Sequence, residues 1–280
     1  MYGKLGHSLD VLEPPLDLRS NEARSSGDMG IVKIPKLMDI VKENPSLRIR
    51  KVVCKYNNTF LIDDQGKCYV LGNVEKGSNG TGRKRNYIKT AENIDSLNGH
   101  DIQDISCGNT FCLALDANGR VFSWGLNNYG QLGESENHTE STPNMINYLK
   151  NQKIEKVACG EYFALALNDK GKVYSWGIGN NGQLGHGSKS DVKVPKIINL
   201  EDTITDISCG DMHSVLLNKS GQIYVFGNGR DGQMGRGDEI ESSASFRTSP
   251  LKVEFFEKHN LKVTQIKAGG NHCIVSAKPF

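Results

Sequence analysis

The amino-acid sequence predicts an all-β fold, a cyclic β-propeller of about five blades, and three observations carry that reading. Cysteine recurs at residues 54, 107, 159 and 209 inside similar segments, a period of about fifty residues. Each segment alternates apolar and small residues over short stretches that end in a Gly-containing turn. Three of the copies then carry a glycine-rich tail, Gly-Gln-Leu-Gly twice and Gly-Gln-Met-Gly once.

The head of the repeat is clearest in two copies. Ile105-Ser106-Cys107-Gly108 leads into a stretch from Phe111 to Gly125, and Val157-Ala158-Cys159-Gly160 into one from Phe163 to Gly177. Ile207-Ser208-Cys209-Gly210 runs on to Phe226-Gly227, and Val53-Cys54 to Leu71-Gly72. In the best copy Phe111, Leu113 and Leu115 alternate with smaller residues, as a strand with one buried face requires. The turns Asp63-Asp64-Gln65-Gly66, Asp116-Ala117-Asn118-Gly119, Asn168-Asp169-Lys170-Gly171 and Asn218-Lys219-Ser220-Gly221 open on Asn or Asp and end on Gly, which suits a hairpin. A second strand ending in Trp-Gly, Phe-Gly or Leu-Gly follows each of them.

The tails are Gly130-Gln131-Leu132-Gly133, Gly182-Gln183-Leu184-Gly185 and Gly232-Gln233-Met234-Gly235, read as tight turns around one apolar core residue. Gly3-Lys4-Leu5-Gly6 is a tail without a head, and Ile266 to Ala277 is a head without a tail. The two ends are therefore expected to share one blade and close the ring, which would hide sheet edges. The whole of 1–280 reads as one domain with polar insertions near 8–33 and 238–249.

Bulk properties narrow the function. Hydrophobic residues make up 37% and charged residues 24%, with a net charge of +2, too small for a general nucleic-acid or membrane-surface role. No apolar stretch has the length of a membrane helix, and Met1 to Gly6 lacks a signal-peptide core. The seven cysteines form no Cys-x-x-Cys pair, so they read as small buried hydrophobes in a reducing, cytoplasmic setting. Nucleophile-elbow, phosphate-loop and zinc-helix motifs are absent, and His, Asp and Glu are not clustered at ligand spacings. Neither a catalytic side chain, a cofactor nor a metal is expected.

In register, these segments resemble the regulator of chromosome condensation repeat family, from Cys107-Gly108 to Gly133, Cys159-Gly160 to Gly187 and Cys209-Gly210 to Gly237. The short length and the start of the chain are similar to bacterial effector members of that family, which implies delivery into a host cell. The resemblance implies a propeller that accelerates GDP release from a small GTPase, Ran above all. A rigid face would hold a nucleotide-free state while a wedge-like loop presses on the partner's phosphate-binding region.

The stretch after Leu71-Gly72 best matches that wedge, through Lys76, Gly77, Ser78, Asn79, Gly80 and Thr81. It departs from the Gly-Gln-Leu-Gly of its sisters, which marks it for a task beyond packing or for a simple surface turn. The head turns are expected on the same face, carrying Tyr56, Asn58, Asn109, Glu161, Asp211 and Asn271. Glu161 and Asp211 also suit plain turn roles. His213 and His272 alternate with Phe111 and Phe163 in the repeat, which argues for packing, and Trp124 and Trp176 read as core. Arg83-Lys84-Arg85 reads as a solvated charge run. Beside nucleotide exchange stands a second reading, a scaffold that binds a protein partner without changing its chemistry.

Overall fold

The computed structural model describes residues 38–73, 77–83, 87–235 and 246–280. After a short helix α1 (Asp39–Glu43), four antiparallel four-stranded sheets follow in chain order. The first holds β1 (Ile49–Lys55), β2 (Asn58–Asp63), β3 (Cys68–Asn73) and β4 (Tyr87–Asn93). The second holds β5 (Ile102–Cys107), β6 (Phe111–Asp116), β7 (Val121–Gly125) and β8 (Glu140–Met145). The third holds β9 (Ile154–Cys159), β10 (Phe163–Asn168), β11 (Val173–Gly177) and β12 (Val192–Ile197). The fourth holds β13 (Ile204–Cys209), β14 (His213–Asn218), β15 (Ile223–Asn228) and β16 (Phe246–Lys252). After helix α2 (Phe255–Lys258), the strands β17 (Leu261–Ala268) and β18 (Cys273–Pro279) pair as a two-stranded fifth sheet. The expected blade-sharing partner, Gly3 to Gly6, and both polar insertions fall wholly or largely outside the described residues.

Each sheet is a meander whose turns are written in its Asx residues. Asp116 Oδ1 accepts the N–H groups of Asn118 at 2.9 Å and Arg120 at 2.8 Å, closing the β6–β7 hairpin. Asp63 does the same for Gln65 and Lys67, and Asn168 for Lys170 and Lys172. A carboxylate or amide at that position holds the turn before any tertiary contact forms.

The second strands β6, β10 and β14 are buried along their whole length, because a neighbouring sheet covers each of their faces. First strands touch first strands around the array, β5 against β9, β9 against β13 and β13 against β17.

The tail turns join one sheet to the next. Trp124 donates its indole N–H to the carbonyl of Ser78 at 3.0 Å, and Trp176 donates to that of Gln131 at 3.0 Å. A Cβ on Gly80 would lie 2.9 Å from Trp124 Nε1, and one on Gly185 would lie 2.9 Å from the Phe226 ring. The second glycine of the first three tails, Gly80, Gly133 and Gly185, is thus the floor on which the next sheet's aromatic rests. Trp124, Trp176 and Phe226 are all fully buried.

Candidate partner-binding site

The head turns are held together by a backbone ladder at one end of the sheets. Asn109 N–H donates to Glu161 O at 2.9 Å, Glu161 N–H to Asp211 O at 3.0 Å, and Asp211 N–H to Gly270 O at 3.0 Å. Equivalent residues from four sheets therefore meet, and their side chains share one small rim.

The local reason lies one residue earlier. Gly108, Gly160, Gly210 and Gly269 each carry the ring of the residue three positions on, Phe111, Phe163, His213 and His272, so close that a Cβ would lie 1.9 to 2.3 Å from it. No other residue fits beneath that ring. The first copy replaces both partners: Lys55 stands in the glycine position and Asn58 in the aromatic one. Lys55 can carry a side chain because no ring covers it.

That side chain reaches the rim. Lys55 Nζ lies 3.8 Å from Asp211 Oδ1 and 5.0 Å from the centre of the Tyr56 ring. Its charge also opposes the effect of burial, which pushes up the thiols of Cys159 and Cys209. Tyr56 takes a left-handed backbone, φ 48°, and its hydroxyl donates to Asp211 Oδ1 at 3.4 Å.

Asn109 Nδ2 donates to Glu161 Oε1 at 3.2 Å and to Tyr162 Oη at 2.8 Å. Tyr129, from the loop after β7, packs edge-on against Tyr162 with centroids 5.5 Å apart. Burial, then Asp211 and Glu161, hold the Tyr56 phenol well above its ordinary pKa, and burial followed by Glu161 raises that of Tyr162. The rim is therefore electronegative and aromatic. Tyr56 is 43%, Tyr129 38% and Met212 38% exposed, so these large side chains face solvent.

Of the residues predicted for this face, Tyr56, Asn109, Glu161 and Asp211 come together here. In the fifth copy Gly270, not Asn271, occupies the axial position, because it is Gly270 O that receives the Asp211 N–H. Asn271 sits one residue on and is exposed. Asn58 leaves the rim and donates from Nδ2 to Ser78 Oγ at 3.1 Å. Lys55, Tyr129, Tyr162 and Met212 are additions. Only Lys55 left a sequence signal, as the one departure from glycine in five aligned heads.

The predicted wedge divides. Lys76 lies outside the described residues. Gly77-Ser78-Asn79-Gly80 is a fourth copy of the tail turn, with φ of 73° and 77° at its glycines against 78° at both Gly130 and Gly133. Ser78 is 7% exposed and Asn79 1%, buried where the sister turns bury Gln131 and Leu132. The departure of this copy from its sisters thus lies in its side chains, while the backbone turn is the same. Thr81 is half-buried, Gly82 and Arg83 are exposed, and these form the outward part of the loop. An antiparallel meander puts this β3–β4 loop at the same end of the sheet as the Tyr56 turn, since Asn58 pairs with Gly72.

Among the described residues no three His, Cys, Asp or Glu side chains converge as metal ligands. No helix there is long and apolar enough to cross a membrane.

Repeated four-stranded blades, joined by a ladder of equivalent turns and presenting one polar-aromatic rim, define a protein of the β-propeller class. The chain belongs to the RCC1-like domain family, whose model matches residues 2–278. It is 31% identical over 175 residues to the E3 ubiquitin-protein ligase HERC2 of Homo sapiens, a match covering 61% of this chain and 4% of that protein. The structure of human WBSCR16 superposes with a TM-score of 0.72 at 25% identity, covering 82% of this chain and 58% of that one. Prp20p of Saccharomyces cerevisiae gives a TM-score of 0.72 at 22% identity, covering 84% of this chain and 57% of that one. The chain thus spans less than two thirds of each of these proteins.

Proposed function

We propose that this chain is an exchange factor for a small GTPase, with Ran the first candidate, acting through the rim and the outward part of the β3–β4 loop. The carrying observation is the backbone ladder from Asn109 through Glu161 and Asp211 to Gly270, which holds polar side chains from separate sheets in one rigid surface. A rigid surface favours one state of its partner without reorganising, and differential affinity for a nucleotide-free state is all that exchange requires. Bond making and breaking play no part in this reading. Family membership supports it, as does Prp20p, which was studied for its binding to Gsp1p and histones. The setting we propose is a reducing compartment, in a host cell if the chain is a bacterial effector, and it suits thiols that serve as buried packing groups.

The test is release of a fluorescent GDP analogue from Ran and from a panel of other small GTPases. Acceleration by micromolar protein is expected. Its absence across the panel removes the exchange reading.

One observation favours a non-catalytic scaffold instead. Ser78, Asn79 and Gly80, the centre of the expected wedge, serve the joint between the first two sheets. A scaffold would hold the GTPase in a pull-down with unchanged release kinetics, and it would still lose binding when rim residues are substituted.

A further inference from the structure

We infer that the rim takes a basic side chain, arginine best, from its protein partner, and that Lys55 is an internal competitor for the same seat. The inference rests on the reading of this rim as the partner-facing surface.

Two carboxylates, Glu161 and Asp211, sit side by side through the Glu161 N–H to Asp211 O bond. Among the described residues one cation reaches the pair, through Asp211 and at the limit of an ion pair: Lys55 Nζ is 3.8 Å from Asp211, with its side chain 33% and that of Asp211 36% exposed. Such a half-exposed contact holds weakly, so the seat is open to exchange. Glu161 makes its side-chain contacts to neutral groups, the amide of Asn109 and the phenol of Tyr162.

Around the acids stand Tyr56, Tyr129 and Tyr162, the first two with ring surface in solvent. Tyrosine faces attract guanidinium and ammonium groups, and a planar guanidinium can both stack on a ring and bond a carboxylate. Tyrosine and methionine, with Met212 38% exposed beside Asp211, are also the side chains enriched at interface centres. Negative charge, aromatic faces and rigid backbone therefore complement a basic residue rather than an acidic or apolar one.

Lys55 is peculiar to the first copy; the four other heads carry glycine there. Its ammonium already samples the seat that an incoming arginine needs. Removing that charge should strengthen binding, an outcome that general damage to the fold would not produce.

The experiment titrates the full chain, carrying ring-labelled tyrosine, with blocked pentapeptides Gly-Ser-X-Ser-Gly in which X is Arg, Lys or Glu. Tyrosine ring resonances report binding. The arginine peptide should shift the Tyr56 and Tyr162 signals saturably, the lysine peptide less, and the glutamate peptide not at all. Glu161→Gln with Asp211→Asn should weaken arginine binding about fivefold or more, and Lys55→Met should tighten it about twofold. Glu161→Gln alone, a near-isosteric change at a half-buried site, gives the same direction should the double variant unfold. No saturable shift at tens of millimolar arginine peptide overturns the inference. Equal shifts from the glutamate peptide, or looser binding by Lys55→Met, do so as well. An arginine peptide that binds while no GTPase releases nucleotide faster removes the exchange reading alone.

Discussion

Trp124 of β7 donates its indole N–H to the carbonyl of Ser78, 46 residues earlier and in the preceding sheet. One side chain thereby closes a joint between two blades. Trp176 repeats the joint one sheet on, and Phe226 makes it without a hydrogen bond, by ring contact on Gly185. Truncating Trp124 to Ala should cost about 3–5 kcal/mol, as expected for a fully buried aromatic. Trp124→Phe should cost only about 1–2 kcal/mol, because an aromatic ring remains and the Ser78 carbonyl keeps only the weak Cys112 thiol as donor, at 3.5 Å. Urea unfolding of the three proteins measures both.

The floor of the joint is equally demanding. Gly80 has φ +77°, and a Cβ there would meet Trp124 at 2.9 Å, whereas Gly99 has φ +84° and nothing within 4 Å. Gly99→Ala therefore bears only the left-handed strain, about 1 kcal/mol. Gly80→Ala adds a clash with an indole that cannot withdraw, and should lower the unfolding midpoint clearly further. Equal losses would show that the joint is loose.

Asn79 fills the position of Leu132 with an amide whose Nδ2 is buried and has no hydrogen-bond partner among the described residues. Its Oδ1 accepts from the backbone and hydroxyl of Thr81 at 2.8 and 3.0 Å. Asn79→Leu should raise stability by about 1 kcal/mol, since an unsatisfied buried donor is replaced by apolar volume. In a GDP-release assay this variant should retain activity if Thr81 and Arg83 are the loop's working surface. Loss of activity with gain of stability would instead return a partner role to Asn79.

His213 lies fully buried against Gly210, with Nε2 3.1 Å from Cys273 Sγ. Burial lowers its pKa from 6.5 to about 4, opposed by a smaller raising influence of Asp211 and reinforced by His272. The unfolded chain thus takes up the proton first. Stability should be complete above about pH 6.5 and decline toward pH 4, at up to ~1.4 kcal/mol per pH unit. His213→Phe, which installs the ring that Phe111 and Phe163 supply in their own sheets, should remove that part of the slope. A pH series of urea midpoints for both proteins decides it. An unchanged slope would assign the acid sensitivity to other groups.

How far the sequence alone reached follows from the range of each interaction. The strands, the Asx-to-Gly hairpins and the buried aromatics were legible because each depends on residues a few positions apart: Asp116 and Gly119 close the same turn in any sheet. The fifty-residue period carried the array, since identical units must stack in identical ways. The rim was legible only in outline. Asn109, Glu161 and Asp211 follow from their place in the repeat, and Gly270 follows in the same way, one residue after Gly269 as Asp211 is after Gly210; the ladder then shows that Asn271 was placed one residue too far along.

Local chemistry therefore determined the blades, and the order of the chain determined which turns would be equivalent. Tertiary structure decided the rest: that Ser78 and Asn79 lie inside a joint, and that Tyr56 meets Asp211 across 155 residues of chain. Burial and long-range contact depend on what the neighbouring sheet places opposite a residue, and no short stretch of sequence contains its neighbour.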